Sequence, residues 1–472
     1  MDTNWTDIEF GLTDLGDKRL NKRLIEIAGR FADSPESPIN QACCNWAETK
    51  AAYRFFKNDS VDYKKILYSH IENTKIRCNA EKVILAIQDT TYLTYTSHKK
   101  TTGLCPVARK SGKYKENLES AGLIIHSSLA VSSEGLPLGL LDQKIYSRPQ
   151  LSNEMKEIKK RTHNAALAIE EKDSFRWVEL LRSVSKHKLS VEVITVCDRE
   201  GDIYEMFLES EENDSKVLIR ANHDRTVNKK SIHAINSGEK LWEFMKKEPV
   251  KGNIDIKIPE KENEASRVAA LEVRYKKFTL NAPKNKNKNA ASVNLTAIYL
   301  IEKNPPENSE RIEWMLLTNH KVENLEDALE KIKWYCLRWR IEVFHKILKS
   351  GFKVEDCRLS DAERLIRYLA VTSIVAWRVF WITMIARVTP DANCLFIVSE
   401  LEWKILFAKM NPKHALPKQL PTVKEIANWI AKLGGFLGRK CDKEPGVIYI
   451  WRGLNKLADI LEGVELAKDI CG

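Results

Sequence analysis

None of the ten cysteines forms a C-x-x-C pair. The chain therefore lacks zinc-knuckle spacing and the framework of a disulfide-stapled secreted domain. Cys43 and Cys44 are adjacent and the others are scattered, a usage that fits reduced thiols and a cytoplasmic protein. The opening residues Met1 to Asp7 show no basic n-region and no apolar h-region, so no signal peptide is expected. A long unbroken apolar run is also missing. The most apolar stretch, Tyr368 to Ala386, is interrupted by Arg378, which predicts a buried helix and no membrane span. No internal repeat of roughly 20–50 residues occurs, which excludes solenoids and propellers.

What remains is a long, basic, globular chain. Its 472 residues are 43% apolar, enough for about two to four domains with real cores. Net charge is +11 and the pI is about 9.0. Basicity of this size favours polyanionic partners, most simply nucleic acid, although an ordinary basic protein shares it.

Residues 1 to about 70 read as helical. Leu20, Leu24, Ile27 and Phe31 make an apolar stripe that ends at Ser34-Pro35-Glu36-Ser37-Pro38. The next helix places Trp46, Tyr53 and Phe56 on one side and Lys50, Arg54 and Lys57 on a second stripe. A strand follows at Val83–Ile87, running into Asp89. Leu123–Val131 and Leu136–Leu141, with a turn between them, read as a hairpin. A Lys-, Glu- and Ala-rich helix is predicted over about 152–188, then a strand at Val191–Val196 ending at Asp198. Strands at Lys216–Arg220, Ile254–Ile258 and Ala297–Ile301 make 210–313 a β-rich insertion, with a basic loop at Lys284–Asn289. Helices dominate from Thr318 onward.

The stretch from Trp334 to Lys349 carries the most chemistry. Read as one helix, it puts Tyr335, Arg338, Glu342 and Lys349 on one face. Such a stripe makes a poor core and a good surface for a metal ion and a phosphodiester. Arg338 offers a fork for phosphate, Lys349 a point charge and Tyr335 a hydrogen-bond donor. Metal-assisted phosphoryl transfer needs hard oxygen ligands from separate elements, and Mg²⁺ takes one or two carboxylates with waters and substrate phosphate. Asp89 and Asp198 at strand ends supply two more acids. Glu200 and Asp202 are alternatives to Asp198, which the strand-end position favours.

The pattern Y-x-x-R-x-x-x-E-x-x-x-x-x-x-K, with its local run WRIEVFHK, resembles the glutamate-bearing helix of bacterial cut-and-paste DDE transposases. The group is typified by the transposase of a composite kanamycin-resistance transposon and has a second acid where Val343 stands. The runs AIQDTTYLTY and VCDREGDIY resemble its two aspartate blocks, in the same order. The resemblance implies an α/β fold: a ribonuclease H-like catalytic core with a β-rich insertion, flanked by helical N- and C-terminal domains. In those terms residues 1–70 bind DNA ends, 71–209 and 314–370 form the core, 210–313 the insertion and 371–472 a dimerisation domain.

The same resemblance implies that Asp89, Asp198 and Glu342 bind Mg²⁺, or Mn²⁺ in its place, as the catalytic triad. Tyr335, Arg338 and Lys349, with Arg199 and Arg220, hold the DNA backbone, and Trp314 stacks on a flipped base. Leu15–Arg19 and Ala52–Phe55 resemble the end-recognition domain, making Arg19, Arg23 and Arg54 DNA contacts. Ile430–Leu437 resembles the dimer-forming region. The expected partners are double-stranded DNA, as inverted-repeat ends and target, and a second copy of the chain, with no membrane. Two other classes share much of this pattern: a metal-dependent nuclease or resolvase on the same core, and an inactive end-binding protein.

Overall fold

The computed structural model describes residues 4–107, 120–148, 167–227, 239–258, 266–283, 291–307 and 309–471. Five helices open the chain: α1 (Trp5–Phe10), α2 (Lys18–Asp33), α3 (Ile39–Ala42), α4 (Trp46–Lys57) and α5 (Tyr63–Cys78). Four of them start on a side-chain cap. Asn4, Asp17, Asn45 and Asp62 each accept a backbone N–H from the first turn, satisfying donors that have no partner inside a helix. Four strands follow, β1 (Val83–Thr94), β2 (Cys105–Pro106), β3 (Ala121–Ser132) and β4 (Pro137–Tyr146). Next come α6 (Phe175–Ser185), β5 (Glu192–Cys197), α7 (Tyr204–Glu212), β6 (Lys216–Arg220), β7 (Thr226–Val227), β8 (Glu239–Lys240) and α8 (Leu241–Lys246). Then β9 (Gly252–Ile258), β10 (Arg267–Leu280), β11 (Val293–Glu302) and β12 (Glu313–Thr318) lead into α9 (Leu325–Cys336) and α10 (Trp339–Lys346). The remainder is helical: α11 (Ala362–Val388), α12 (Glu400–Met410), α13 (Val423–Leu433) and α14 (Val447–Cys471). The protein is thus mixed α/β, with helical N- and C-terminal parts and a central mixed sheet.

Several sequence expectations are corrected. The run from Trp334 to Lys349 is not one helix. It breaks at Leu337 and Arg338, whose N–H groups bond to the carbonyls of Trp334 and Tyr335 three residues back, tightening the end of α9 before α10 begins. A five-residue π segment, Ile347–Gly351, then ends the stretch. Strand β1 does not stop at Asp89 but runs on to Thr94. Among the described residues of the expected 152–188 helix, only Phe175–Ser185 is α-helical; residues 152–166 and the Lys284–Asn289 loop lie outside the described residues. In α4 the buried face is Thr49, Ala52, Phe55 and Phe56, while Trp46 and Tyr53, on the flank of Phe56, are exposed.

Contacts divide the chain into two compact units: Met1–Glu81, Thr90–Gln150 and Arg340–Gly472 form one, and Lys82–Asp89 with Leu151–Trp339 the other. In the first, β3 pairs antiparallel with β2 and β4. Helix α11 is its spine and contacts α2, α4, α5, β4, α13 and α14. That helix is long and apolar enough to cross a membrane, but most of it is buried inside the unit, as expected. Arg378 is accommodated there by a hydrogen bond to the Ile397 carbonyl and by stacking on Trp5 and Trp381. In the second unit, strand order is β1-β5-β6-β12-β11-β10-β7-β8, with β9 on β10. The β1–β5 and β5–β6 pairs are parallel and the others antiparallel. The strands of 210–313 therefore extend the same sheet as β1 and β5.

Helix α1 is tied to the first unit by a buried charge network. Glu9 accepts from His70 Nδ1 at 2.6 Å and from Arg77 at 2.7 Å. His70 Nε2 accepts the Leu140 N–H at 3.0 Å, so the ring is neutral with its proton on Nδ1. Burial acts to raise the Glu9 pKa, but His70 and Arg77 outweigh it and hold the carboxyl at about 2, against an ordinary 4.5. Burial lowers the His70 pKa from 6.5.

Acid should therefore loosen this unit. The folded Glu9 holds its proton less tightly than the unfolded chain does, so its contribution is complete above 4.5 and is lost as pH falls toward about 2. His70 acts in the same direction from 6.5 downward, because the unfolded ring protonates first. Glu9→Ala is expected to destabilise by about 3 kcal/mol at neutral pH, since it leaves Arg77 and His70 unpaired. Urea midpoints measured across pH should show the variant's acid dependence flattened relative to the parent chain.

Candidate active site

The parallel register of β1 and β5 places the first two acids. Ile87 lies opposite Val196; Asp89, two residues further along β1, and Asp198, the residue after β5, interact electrostatically. Asp198 caps the short 3₁₀ turn Arg199–Gly201, accepting the Glu200 N–H at 2.8 Å. A Cβ at Gly201 would come 2.5 Å from that of Cys197, so the turn requires glycine to hold Asp198 where it is. Burial raises the Asp198 pKa; Asp89 adds to the rise, while the Glu200 N–H and Arg338 oppose it. Two half-buried carboxylates in mutual repulsion, with a guanidinium nearby, form a site that gains from a further cation.

The two alternatives to Asp198 are occupied elsewhere. Glu200 pairs with the buried Arg176 at 2.7 Å. Asp202 is buried and clamps the loop after β6. It accepts from the N–H groups of Asn222 at 2.7 Å and His223 at 2.9 Å, and pairs with Arg225 at 2.5 Å. Asp202 is a structural residue whose role depends on a loop twenty positions away, and no local sequence signal marks it.

Beside the carboxylates, the second unit gathers four more of the expected residues. Trp314, on β12, meets the Tyr335 ring edge-on with centroids 5.4 Å apart. The Arg220 guanidinium lies 5.6 Å from the Trp314 ring centre and also hydrogen-bonds to Tyr335. Tyr335 is buried, which raises its phenol pKa, with Arg338 and Arg220 acting against the rise. Arg338 is electrostatically coupled to both Asp198 and Tyr335. The broken helix has a consequence here. Tyr335 closes α9 and Arg338 sits in the following turn, so their meeting comes from that turn and from β6 and β12, rather than from one continuous helical face. Arg199 is exposed on the turn after Asp198.

Glu342 and Lys349 belong to the first unit. Glu342 is half-buried on α10, and Lys349 is half-buried in the π segment. Among the described residues, no group of three or more His, Cys, Asp or Glu side chains is arranged to hold a metal ion. The hard oxygen donors of Asp89 and Asp198 nevertheless suit Mg²⁺, which takes few protein carboxylates. Of the N-terminal candidates, Arg19 pairs with its own helix cap Asp17, Arg23 pairs with Glu26, and Arg54 is exposed. The aromatic residues Trp46 and Tyr53 of α4 are exposed.

With this geometry in place, two family models match the chain. Residues 2–61 match a transposase DNA-binding model, and residues 374–471 match the transposase Tn5 dimerisation domain. A cryo-EM structure of the piggyBac transposase synaptic complex with hairpin DNA aligns over 92% of this chain and 79% of that chain. Its TM-score is 0.36 at 10% identity, a likeness too distant to carry an argument.

The two aspartates should separate on substitution. Asp202→Ala removes the buried acceptor of two backbone N–H groups and the charge partner of Arg225, and a loss of about 3 kcal/mol is expected. Asp198→Asn keeps the cap and relieves the repulsion from Asp89, so its thermal midpoint should equal or exceed that of the parent. A large drop for Asp198→Asn in differential scanning calorimetry would contradict a site held in repulsion.

Proposed function

We propose that this chain is a cytoplasmic DNA transposase of the cut-and-paste DDE type, with a ribonuclease H-like catalytic core. The observation that carries the reading is the Asp89–Asp198 pair on adjacent parallel strands beside Arg338, in a chain whose two ends match transposase DNA-binding and dimerisation models. Asp89, Asp198 and Glu342 would together hold Mg²⁺, or Mn²⁺ in its place. That cation would supply Lewis acidity, stabilising charge on the attacking and leaving oxygens of an in-line displacement.

The chain's own residues do the positioning. Arg338, Arg220 and Arg199 hold phosphate oxygens, with Lys349 adding charge. Tyr335 orients the backbone by hydrogen bonding. Its burial and raised pKa make it a poor nucleophile, so no covalent protein–DNA bond is invoked. Trp314 offers an aromatic platform for a base extruded by sharp bending at the cut end; accepting that base requires the ring to exchange part of its contact with Arg220 or Tyr335.

The reaction is a series of phosphoryl transfers that differ only in nucleophile. Water attacks a phosphodiester at the end and breaks its bond to the 3′ oxygen, leaving a 3′-OH and a 5′-phosphate. The 3′-OH attacks the opposite strand to form a hairpin, releasing the flank. Water reopens the hairpin, and the restored 3′-OH joins target DNA. A homodimer would hold two inverted-repeat ends together.

The test is incubation of the full chain with a labelled duplex bearing the inverted repeat that flanks its gene, with Mg²⁺ and with Mn²⁺. Hairpin and joined products are expected from the parent chain. Asp198→Asn and Glu342→Ala should bind the duplex with unchanged affinity and cut it at least about 10³-fold more slowly, the scale on which removing an essential group acts. Cut DNA with no joined product would instead indicate a nuclease, and binding without cutting in either metal an end-binding protein.

A further inference from the structure

The second unit holds a cavity of about 220 Å³ that shares no lining residue with the site described above. Antiparallel pairing builds its floor. Arg274 of β10 lies opposite Tyr299 of β11, and Glu272 lies opposite Ile301, so these four side chains leave one face of the sheet. Lys246 at the end of α8, Lys303 just past β11 and Arg311 just before β12 complete the wall. The cations are only partly neutralised. Glu302 is matched by Arg267 and accepts the Ile312 N–H. Lys303 stands 3.9 Å from Glu272 and Lys246 3.8 Å from Glu313, long contacts made by side chains that are 69% and 55% exposed. Arg311 donates to the carbonyls of Glu302 and Lys303, at 2.8 and 3.5 Å, rather than to a carboxylate. Around the cavity five cations, Arg267 included, face the three carboxylates of Glu272, Glu302 and Glu313, a surplus of two positive charges. Arg274 is the most informative of them. Its Nε donates to the Glu248 carbonyl and its Nη2 to Glu272, both at 3.0 Å. Its Nη1 is buried and has no hydrogen-bond partner among the described residues. A buried guanidinium N–H without an acceptor is costly, and it marks a place where an acceptor oxygen belongs.

We propose that this cavity binds a small phosphate-bearing dianion, with one oxygen accepting from Nη1 of Arg274. Lys246 and Lys303 leave their long carboxylate contacts and close over the ligand, and Arg311 faces it from the other end of the β11–β12 connection. Three features select this occupant. A phosphate monoester carries about two negative charges at neutral pH, which balance the surplus. A tetrahedral anion accepts from donors on several sides, as the cations of α8, β10 and the β11–β12 connection require, whereas one guanidinium fork satisfies a planar carboxylate. The cavity is below the roughly 300–1,000 Å³ of sites for drug-sized ligands, so the occupant is small. The inference does not rest on the transposase reading.

The test uses the full chain in titration calorimetry at low salt, with inorganic phosphate and adenosine monophosphate as separate probes. The Lys246→Gln, Lys303→Gln double variant changes only exposed side chains and should bind inorganic phosphate about tenfold or more weakly than the parent. Arg274→Lys keeps the charge but removes Nη1, and a loss of about the same size is expected. Acetylation of lysines, read by mass spectrometry, needs no substitution. Phosphate should slow the reaction of Lys246 and Lys303 by about tenfold and leave that of the neighbouring, exposed Lys247 unchanged. Tighter binding of adenosine monophosphate than of phosphate would assign the occupant to nucleotides, and equal binding would assign it to the phosphate group alone. If the double variant binds phosphate within about twofold of the parent, or if about 10 mM phosphate does not protect Lys246 and Lys303, the proposal is overturned. It is also overturned if a blunt duplex without terminal phosphates protects these lysines where phosphate does not, which would make the face a nucleic-acid surface.

Discussion

The parallel pairing of β1 with β5 is the constraint on which the candidate site depends. Parallel ladders bring residues of the same rank to the same end of the sheet, so one register decides which pair of side chains emerges together. With Ile87 opposite Val196, the pair that emerges is Asp89 and Asp198. A slip of one residue would send one carboxylate to the other face of the sheet. The cores on either side hold this register. Ile84, Leu85, Ala86 and Ile87 are all fully buried, as are Ile194, Val196 and Cys197.

Charge is buried in this protein in two ways that should not be confused. Glu9 and Asp202 are buried and paired: with His70 and Arg77 in one case, with two backbone N–H groups and Arg225 in the other. Both carboxylates are held by the fold and hold it in turn. Asp198 stands in the opposite condition. It is partly desolvated and faces another acid, and its pKa is raised. A carboxylate left in that state costs stability unless a ligand repays it, and such strain is found where a site awaits a substrate or cation. The contrast between Asp198 and Asp202, four positions apart, separates a carboxylate held in repulsion from one locked into the fold.

The cluster of Arg220, Trp314, Tyr335 and Arg338 draws on strands β6 and β12 and on the end of α9. Trp314 is held edge-on by Tyr335, with Arg220 lying over its face, so the three rings and planes restrain one another before any ligand arrives. Preorganisation of this kind limits the entropy lost when any ligand is bound.

The sequence by itself determined whatever is settled within a turn or two of chain. The capping residues Asp17 and Asn45, the stripe of Leu24, Ile27 and Phe31, the β3–β4 hairpin and the buried helix around Arg378 all follow from local hydrogen bonding and from hydrophobic period. The order of the aspartate-bearing strands and the Tyr335–Arg338 block was equally legible, because residue type and spacing carry it. What the sequence could not fix depends on distant partners. Strand β1 continues through Asp89 to Thr94 as a neighbour of β3 in the sheet. The outer face of α4 is set by where α2 and α11 lie, not by the nearest aromatic residue. The break after Tyr335 parts a run whose periodicity reads as unbroken. Asp202 could be told from Asp198 only once the loop at 222–225 returned to bind it, since a carboxylate's role is decided by the groups that surround it and not by the residues beside it in the chain.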